Sequence, residues 1–79
     1  MRRVRIRVRT NEEVDCLMRD LSPYTPKRAR RTILVELEQR SETDVLALLS
    51  AVETCLTAND IPSVRVELDD RVYMLELRA

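Results

Sequence analysis

The sequence predicts an α+β domain: a two-layer βαβαββ sandwich with a mixed four-stranded sheet, both helices on one face and the other face open. Three observations carry this expectation. Val4, Ile6 and Val8 alternate with Arg3, Arg5, Arg7 and Arg9, the period of a strand with one buried and one wet face. Two separate stretches repeat apolar residues at the i, i+3, i+4, i+7 spacing of a helix stripe. Beyond Pro62 two alternating segments lie either side of Asp69-Asp70 and match as the arms of a hairpin. With 79 residues, 44% of them hydrophobic and 35% charged, the chain is expected to form a single domain over 1–79.

The elements follow in order. After the first strand, Thr10 precedes Glu13 by three positions. That is the capping-box spacing, in which the hydroxyl serves the third amide and the carboxylate returns to the cap. Val14, Leu17, Met18 and Leu21 form the stripe of the first helix, and Cys16 is expected across from it, facing solvent. Ser22-Pro23 and Thr25-Pro26 stop that helix, because proline has no amide to donate. Residues 22–31 read as one loop ending in Lys27-Arg28-Ala29-Arg30-Arg31.

The second strand begins at Arg31, with Ile33, Val35 and Leu37 inward and Leu34, Glu36 and Glu38 outward. Ser41, three residues before Asp44, is expected to cap the second helix. The core stripe of that helix is Val45, Leu48, Leu49, Val52 and Leu56. Ala47, Ala51 and Ala58 flank it, with Cys55 between, which would let the two helices approach closely. Asn59-Asp60-Ile61-Pro62 ends it. In the hairpin a two-residue turn at 69–70 pairs Leu68 with Arg71, Val66 with Tyr73 and Val64 with Leu75, which puts both apolar sets on one face. The helical connection makes the first two strands expected parallel neighbours.

Composition narrows the chemistry. No glycine means no Gly-rich phosphate cradle, and no histidine means no imidazole base or His-containing zinc site. Cys16 and Cys55 lie far apart in sequence, without a C-x-x-C pair, and are expected as thiols in a reducing cytoplasm. No apolar run has the length of a membrane span. Asp69-Asp70 is explained by its turn, and Lys27, the single lysine, is expected in an exposed loop. The expectation is a protein that is not an enzyme, with no catalytic, cofactor-binding or metal-ligating residue assigned, and with neither membrane nor metal among its partners.

The expected element order is similar to that of the C-terminal domain of translation initiation factor three, the Alba chromatin proteins and the small sulfur carriers of tRNA thiolation. The resemblance is one of topology, and it implies a fold rather than a function. The sulfur carriers open their first helix with Cys-Pro-x-Pro, where this chain has Thr10-Asn11-Glu12-Glu13; sulfur carriage therefore has no residue to rest on.

Charge offers one functional reading. Residues 1–40 hold 11 Lys+Arg and 6 Asp+Glu, a balance of +5, and residues 41–79 hold 3 and 8, a balance of −5. Arg3, Arg5, Arg7 and Arg9 on the open face, with Lys27, Arg28, Arg30 and Arg31 alongside, are the candidate phosphate-binding set of a weak, largely sequence-independent RNA- or DNA-binding domain. Against it, Glu36 and Glu38 would stand beside those arginines and neutralise them across strands. An arginine-studded strand also suits a sheet edge, and no outward aromatic is expected for base stacking.

A second reading is favoured. Leu34, Val72 and Met74 point outward from the second and fourth strands, expected to be adjacent. Together they would form an apolar island rimmed by charge, the make-up of an interface. Leu46, off its helix stripe, is a further candidate contact. The expected function is accordingly a small protein-interaction module, self-associating through its open sheet face, with another protein as the alternative partner.

Overall fold

The computed structural model describes residues 2–37 and 42–77. Its elements are β1 (Arg2–Arg7), α1 (Asn11–Asp20), a single 3₁₀ turn (Ser22–Tyr24), β2 (Lys27–Ala29), β3 (Thr32–Leu37), α2 (Glu42–Asn59), β4 (Ser63–Leu68) and β5 (Arg71–Glu76). The α+β class holds, but the sheet has five strands in the order β2-β3-β1-β4-β5, and every neighbouring pair is antiparallel.

The expected parallel pairing of the first two long strands is corrected here. The segment read as a loop contains β2, which turns back at Arg30-Arg31 and pairs with β3, Ala29 opposite Thr32. The α1 crossover therefore lands on β2, and β3 returns antiparallel into the place between β2 and β1. In the same way α2 connects β3 to β4, which run alike on either side of β1. The result is two interlocked split βαβ units with β5 added outside β4. The order is not the one on which the topological resemblance rested.

Alternation decides what lies inside. Val4 and Ile6 of β1 stand opposite Val35 and Ile33 of β3 and opposite Leu68 and Val66 of β4. Val14, Leu17 and Leu21 from α1, and Val45, Leu48, Val52, Cys55 and Leu56 from α2, join these residues in one buried cluster. Both helices thus cover one sheet face, as expected. Two expected details shift. Cys16 is half-buried and packs against this core instead of facing solvent, and of the three alanines only Ala51 does so, Ala47 and Ala58 being exposed. Ser41 and Glu38 lie outside the described residues.

The described helix ends are closed by local hydrogen bonds. The Glu13 amide donates to the Thr10 hydroxyl at 3.2 Å, but the Glu13 carboxylate accepts from the Arg9 amide at 3.3 Å, one residue before the cap. At the end of α2, Asp60 takes a φ of 56° and the Ile61 amide donates to the Leu56 carbonyl, a Schellman closure that buries Ile61. The C-terminal turns of the helices are tied together. Asn59 Nδ2 donates to Asp20 Oδ2 at 3.3 Å and to the Cys55 carbonyl at 3.0 Å, and Arg19 donates to Asn59 Oδ1 at 3.3 Å.

The absence of glycine has a visible cost. Thr25, Arg30, Asp60 and Asp69 all adopt positive φ, where a Cβ is unfavourable by roughly 1–2 kcal/mol. Arg30 and Asp69 occupy the first central position of the two two-residue hairpin turns, where glycine is ordinarily preferred.

Candidate interaction surface

On the helix-free face the ladder sets the side chains in rows. One row runs Lys27, Leu34, Arg5, Glu67, Val72; the next runs Ala29, Thr32, Arg7, Arg65, Met74; Arg3 stands beside Glu36. The three residues of the expected apolar island are not together. Val72 and Met74 are neighbours on one face of β5, whereas half-buried Leu34 is three strands away, about 14 Å at the usual strand spacing, with Arg5 and Glu67 between. The insertion of β3 next to β1 separates them, so Leu34 drops out of the cluster.

What the structure puts with Val72 and Met74 is different. Among the described residues the exposed large apolar side chains are Leu46 at 65%, Val72 at 50%, Tyr73 at 43% and Met74 at 56%. Tyr73 faces the helix side by register, opposite buried Val66, yet it is exposed because α2 lies over the Leu75–Leu77 end of β5 and leaves Tyr73 uncovered. There it borders a hollow of about 530 Å³ with Val45, Leu46, Leu68 and Arg71. Three consecutive apolar residues of one edge strand are therefore wet, with Leu46 beside them. Sequence reasoning placed Tyr73 inside because alternation reports a face, not how far the opposing layer extends.

The arginine set is divided. Arg3, Arg5 and Arg7 lie on the open face with Lys27. Arg28 falls on the helix side, opposite Ile33, where Nη1 bonds Asp15 at 2.8 Å and Nη2 bonds Asn11 at 3.3 Å. Arg31 donates to the Arg9 carbonyl at 3.1 Å, and Arg30 forms the turn. Two of the four basic residues at 27–31 are thus holding the β2–β3 hairpin against α1 and the segment that joins β1 to α1.

Of the expected neutralisation of the open face, Glu36 does stand opposite Arg3, but without closing an ion pair, and Glu38 lies outside the described residues. Among the described residues Arg3, Arg5 and Arg7 form no ion pair; the pair on that face is Arg65–Glu67 at 3.7 Å. Glu67, opposite Arg5 across the ladder, is taken by a residue of its own strand, and Arg7 stands between Thr32 and Arg65. Nor does this strand protect an edge, since β1 is central; the edges are β2 and β5.

Near the helix clip, Cys55 is buried at 1% exposure. Burial, then the neighbouring Asp20 carboxylate, pushes its thiol up to about 12. The same Cys55 contact, followed by Arg19 and Asn59, holds the Asp20 carboxyl below its usual range against the desolvation that raises it. Among the described residues no cluster of three or more Cys, Asp and Glu side chains could hold a metal ion, and no helix is long and apolar enough to cross a membrane.

Comparison of the chain with protein-family models, with curated proteins and with solved structures finds no match, so its surface is read from its own residues.

Proposed function

We propose that this chain is a non-enzymatic protein-interaction module that self-associates through the β5 end of its sheet. The observation that supports the reading is that the exposed large apolar residues among those described gather at one edge of the sheet: Val72 and Met74 on the open face of β5, and Tyr73 with Leu46 on its helix side. Singly scattered apolar residues are ordinary on a surface, whereas exposed apolar side chains on both faces of one edge strand, with Arg71, Glu76 and Arg65 around them, give that edge the apolar centre and charged rim of an association surface.

Light scattering of the native chain and of Val72→Arg and Met74→Glu variants tests it. The native chain is expected to show a multiple of the single-chain mass. Each variant should fall to the single-chain mass with an unchanged circular-dichroism spectrum, because exposed substitutions cost about 0.5 kcal/mol or less in stability. A native chain that stays monomeric into the high micromolar range, or variants that keep the native mass, overturns the reading.

A second reading rests on Arg3, Arg5 and Arg7, which form no ion pair among the described residues, with Lys27 on the open face. These are cations free to neutralise phosphate, which would make the chain a weak, largely sequence-independent binder of RNA or DNA. Anisotropy of generic single- and double-stranded oligonucleotides at about 50 and 200 mM salt decides it. Binding that weakens at least tenfold over that range, and that a triple Arg3, Arg5, Arg7→Gln variant removes, establishes this reading. No binding at the lower salt ends it.

A further inference from the structure

We infer that the self-association proposed above is an edge-to-edge pairing of β5 with β5 of a second copy, antiparallel and centred on Met74, which joins two five-stranded sheets into one. The inference rests on that reading and adds the mode and the register.

The two edges of the sheet differ in kind. Sheet edges that must stay unpaired are kept short, charged or interrupted by proline. β2 has all three features: it is three residues long, carries Lys27 and Arg28, and follows Pro26 directly. β5 has none of them over its middle. It runs six residues, places charge only at Arg71 and Glu76, and leaves Val72, Tyr73, Met74 and Leu75 without a charge or a proline among them. One edge is blunted and its opposite is not.

The open backbone groups can be assigned. In a two-residue hairpin the residues flanking the turn exchange backbone hydrogen bonds, and bonded and non-bonded pairs alternate from there. Counting from Leu68–Arg71, Arg71, Tyr73 and Leu75 direct their N–H and C=O groups to β4. The bond from the Leu77 amide to the Pro62 carbonyl at 2.9 Å continues the same alternation. Val72, Met74 and Glu76 therefore present theirs to the empty edge.

A second copy fits these groups. Antiparallel pairing about a twofold axis normal to the sheet must set residues of like parity opposite each other, so that helix-side meets helix-side. Centring on Met74 satisfies this and engages every residue from 71 to 77. Met74 meets the partner's Met74, Tyr73 meets the partner's Leu75, Val72 meets the partner's Glu76, and Arg71 meets the partner's Leu77. No like charges oppose, and each Arg71 lies next to the end of the strand that carries the partner's Glu76. The neighbouring even register, centred on Tyr73, would set Asp70 against the partner's Glu76, a like-charge opposition that destabilises. In the Met74 register the open groups of Val72, Met74 and Glu76 form about six backbone hydrogen bonds between copies. The twofold pairing closes, whereas β5 joined to β2 would propagate into a filament and would have to accept the blunted edge.

Amide hydrogen exchange followed by NMR at about 10 µM and about 1 mM chain tests the inference, because association is driven by concentration. The amides of Val72, Met74 and Glu76 are expected to slow by at least about tenfold at the higher concentration, while those of Arg71, Tyr73 and Leu75 stay as protected as before. In a mixture of labelled and unlabelled chains, an intermolecular Hα–Hα contact from Tyr73 to the partner's Leu75 is expected, since non-bonded pairs bring these protons together. Association without slowed exchange at 72, 74 and 76 overturns edge pairing and leaves the broader reading standing. Slowed exchange with the intermolecular contact at other residues overturns the register. A chain that remains monomeric at both concentrations overturns both.

Discussion

Leu17→Ala is expected to lower the unfolding free energy by about 2–5 kcal/mol, the largest stability effect of any single truncation considered for this chain. Leu17 has no exposed surface and lies on the face of α1 that packs against α2 and β3, so the vacated volume is bounded by elements that cannot all close on it. A domain of this length has about 4–12 kcal/mol in total, and each kcal/mol corresponds to roughly 4–8 °C in Tm. The variant should therefore melt at least about 8 °C lower and show a reduced denaturant midpoint with an unchanged slope. Leu46→Ala is the internal comparison: Leu46 is the most exposed large apolar residue among those described and should change stability by no more than about 0.5 kcal/mol. Both measurements belong at matched chain concentration, since self-association stabilises by mass action. A loss under about 1 kcal/mol for Leu17→Ala would mean that the two layers do not meet at that side chain.

Cys55 is expected to resist alkylation in the native chain at pH 8, whereas Cys16 reacts. The thiolate is the nucleophile, and a thiol held near 12 is ionised to about one part in ten thousand at that pH, against roughly one in four for an ordinary cysteine. Iodoacetamide followed by mass spectrometry should give a single adduct on the folded protein and a second one only after denaturation; two adducts forming at similar rates would contradict the assignment.

The same shift has a consequence at alkaline pH. The folded thiol ionises later than the unfolded one, so its contribution to stability is complete below about pH 9 and is lost as pH rises towards about 12. Across that window stability falls by up to about 1.4 kcal/mol per pH unit. A Cys55→Val variant, similar in volume and unable to ionise, should lose this part of the alkaline slope.

Most of the local structure was legible in the residues. The hairpin register of Val64, Val66 and Leu68 against Leu75, Tyr73 and Arg71 follows from alternation around a two-residue turn, and both helices begin or end where hydroxyl, carboxylate and proline dictate. β2 escaped notice because three residues are too few to show a period. Its turn, Arg30-Arg31, also lacks the glycine or asparagine that announces one, the chain having placed an arginine at positive φ instead. That one omission carried through to the surface. Once β3 is seen to return beside β1, Leu34 leaves the apolar cluster and the arginine strand moves from an expected edge to the centre of the sheet.

The sequence alone determined which residues are apolar on which face, because side-chain period is a property of the strand or helix itself. Tertiary structure decided what those faces meet. α2 meets β5 towards Leu75 and Leu77 and leaves Tyr73 uncovered, so Tyr73 is exposed on a face where alternation buries it. Lys27, Arg28 and Pro26 guard one edge of the sheet while Val72 to Leu75 leave the other bare. Register and edge depend on the order in which strands are laid side by side, and that order is fixed by contacts between distant segments, which no local period records.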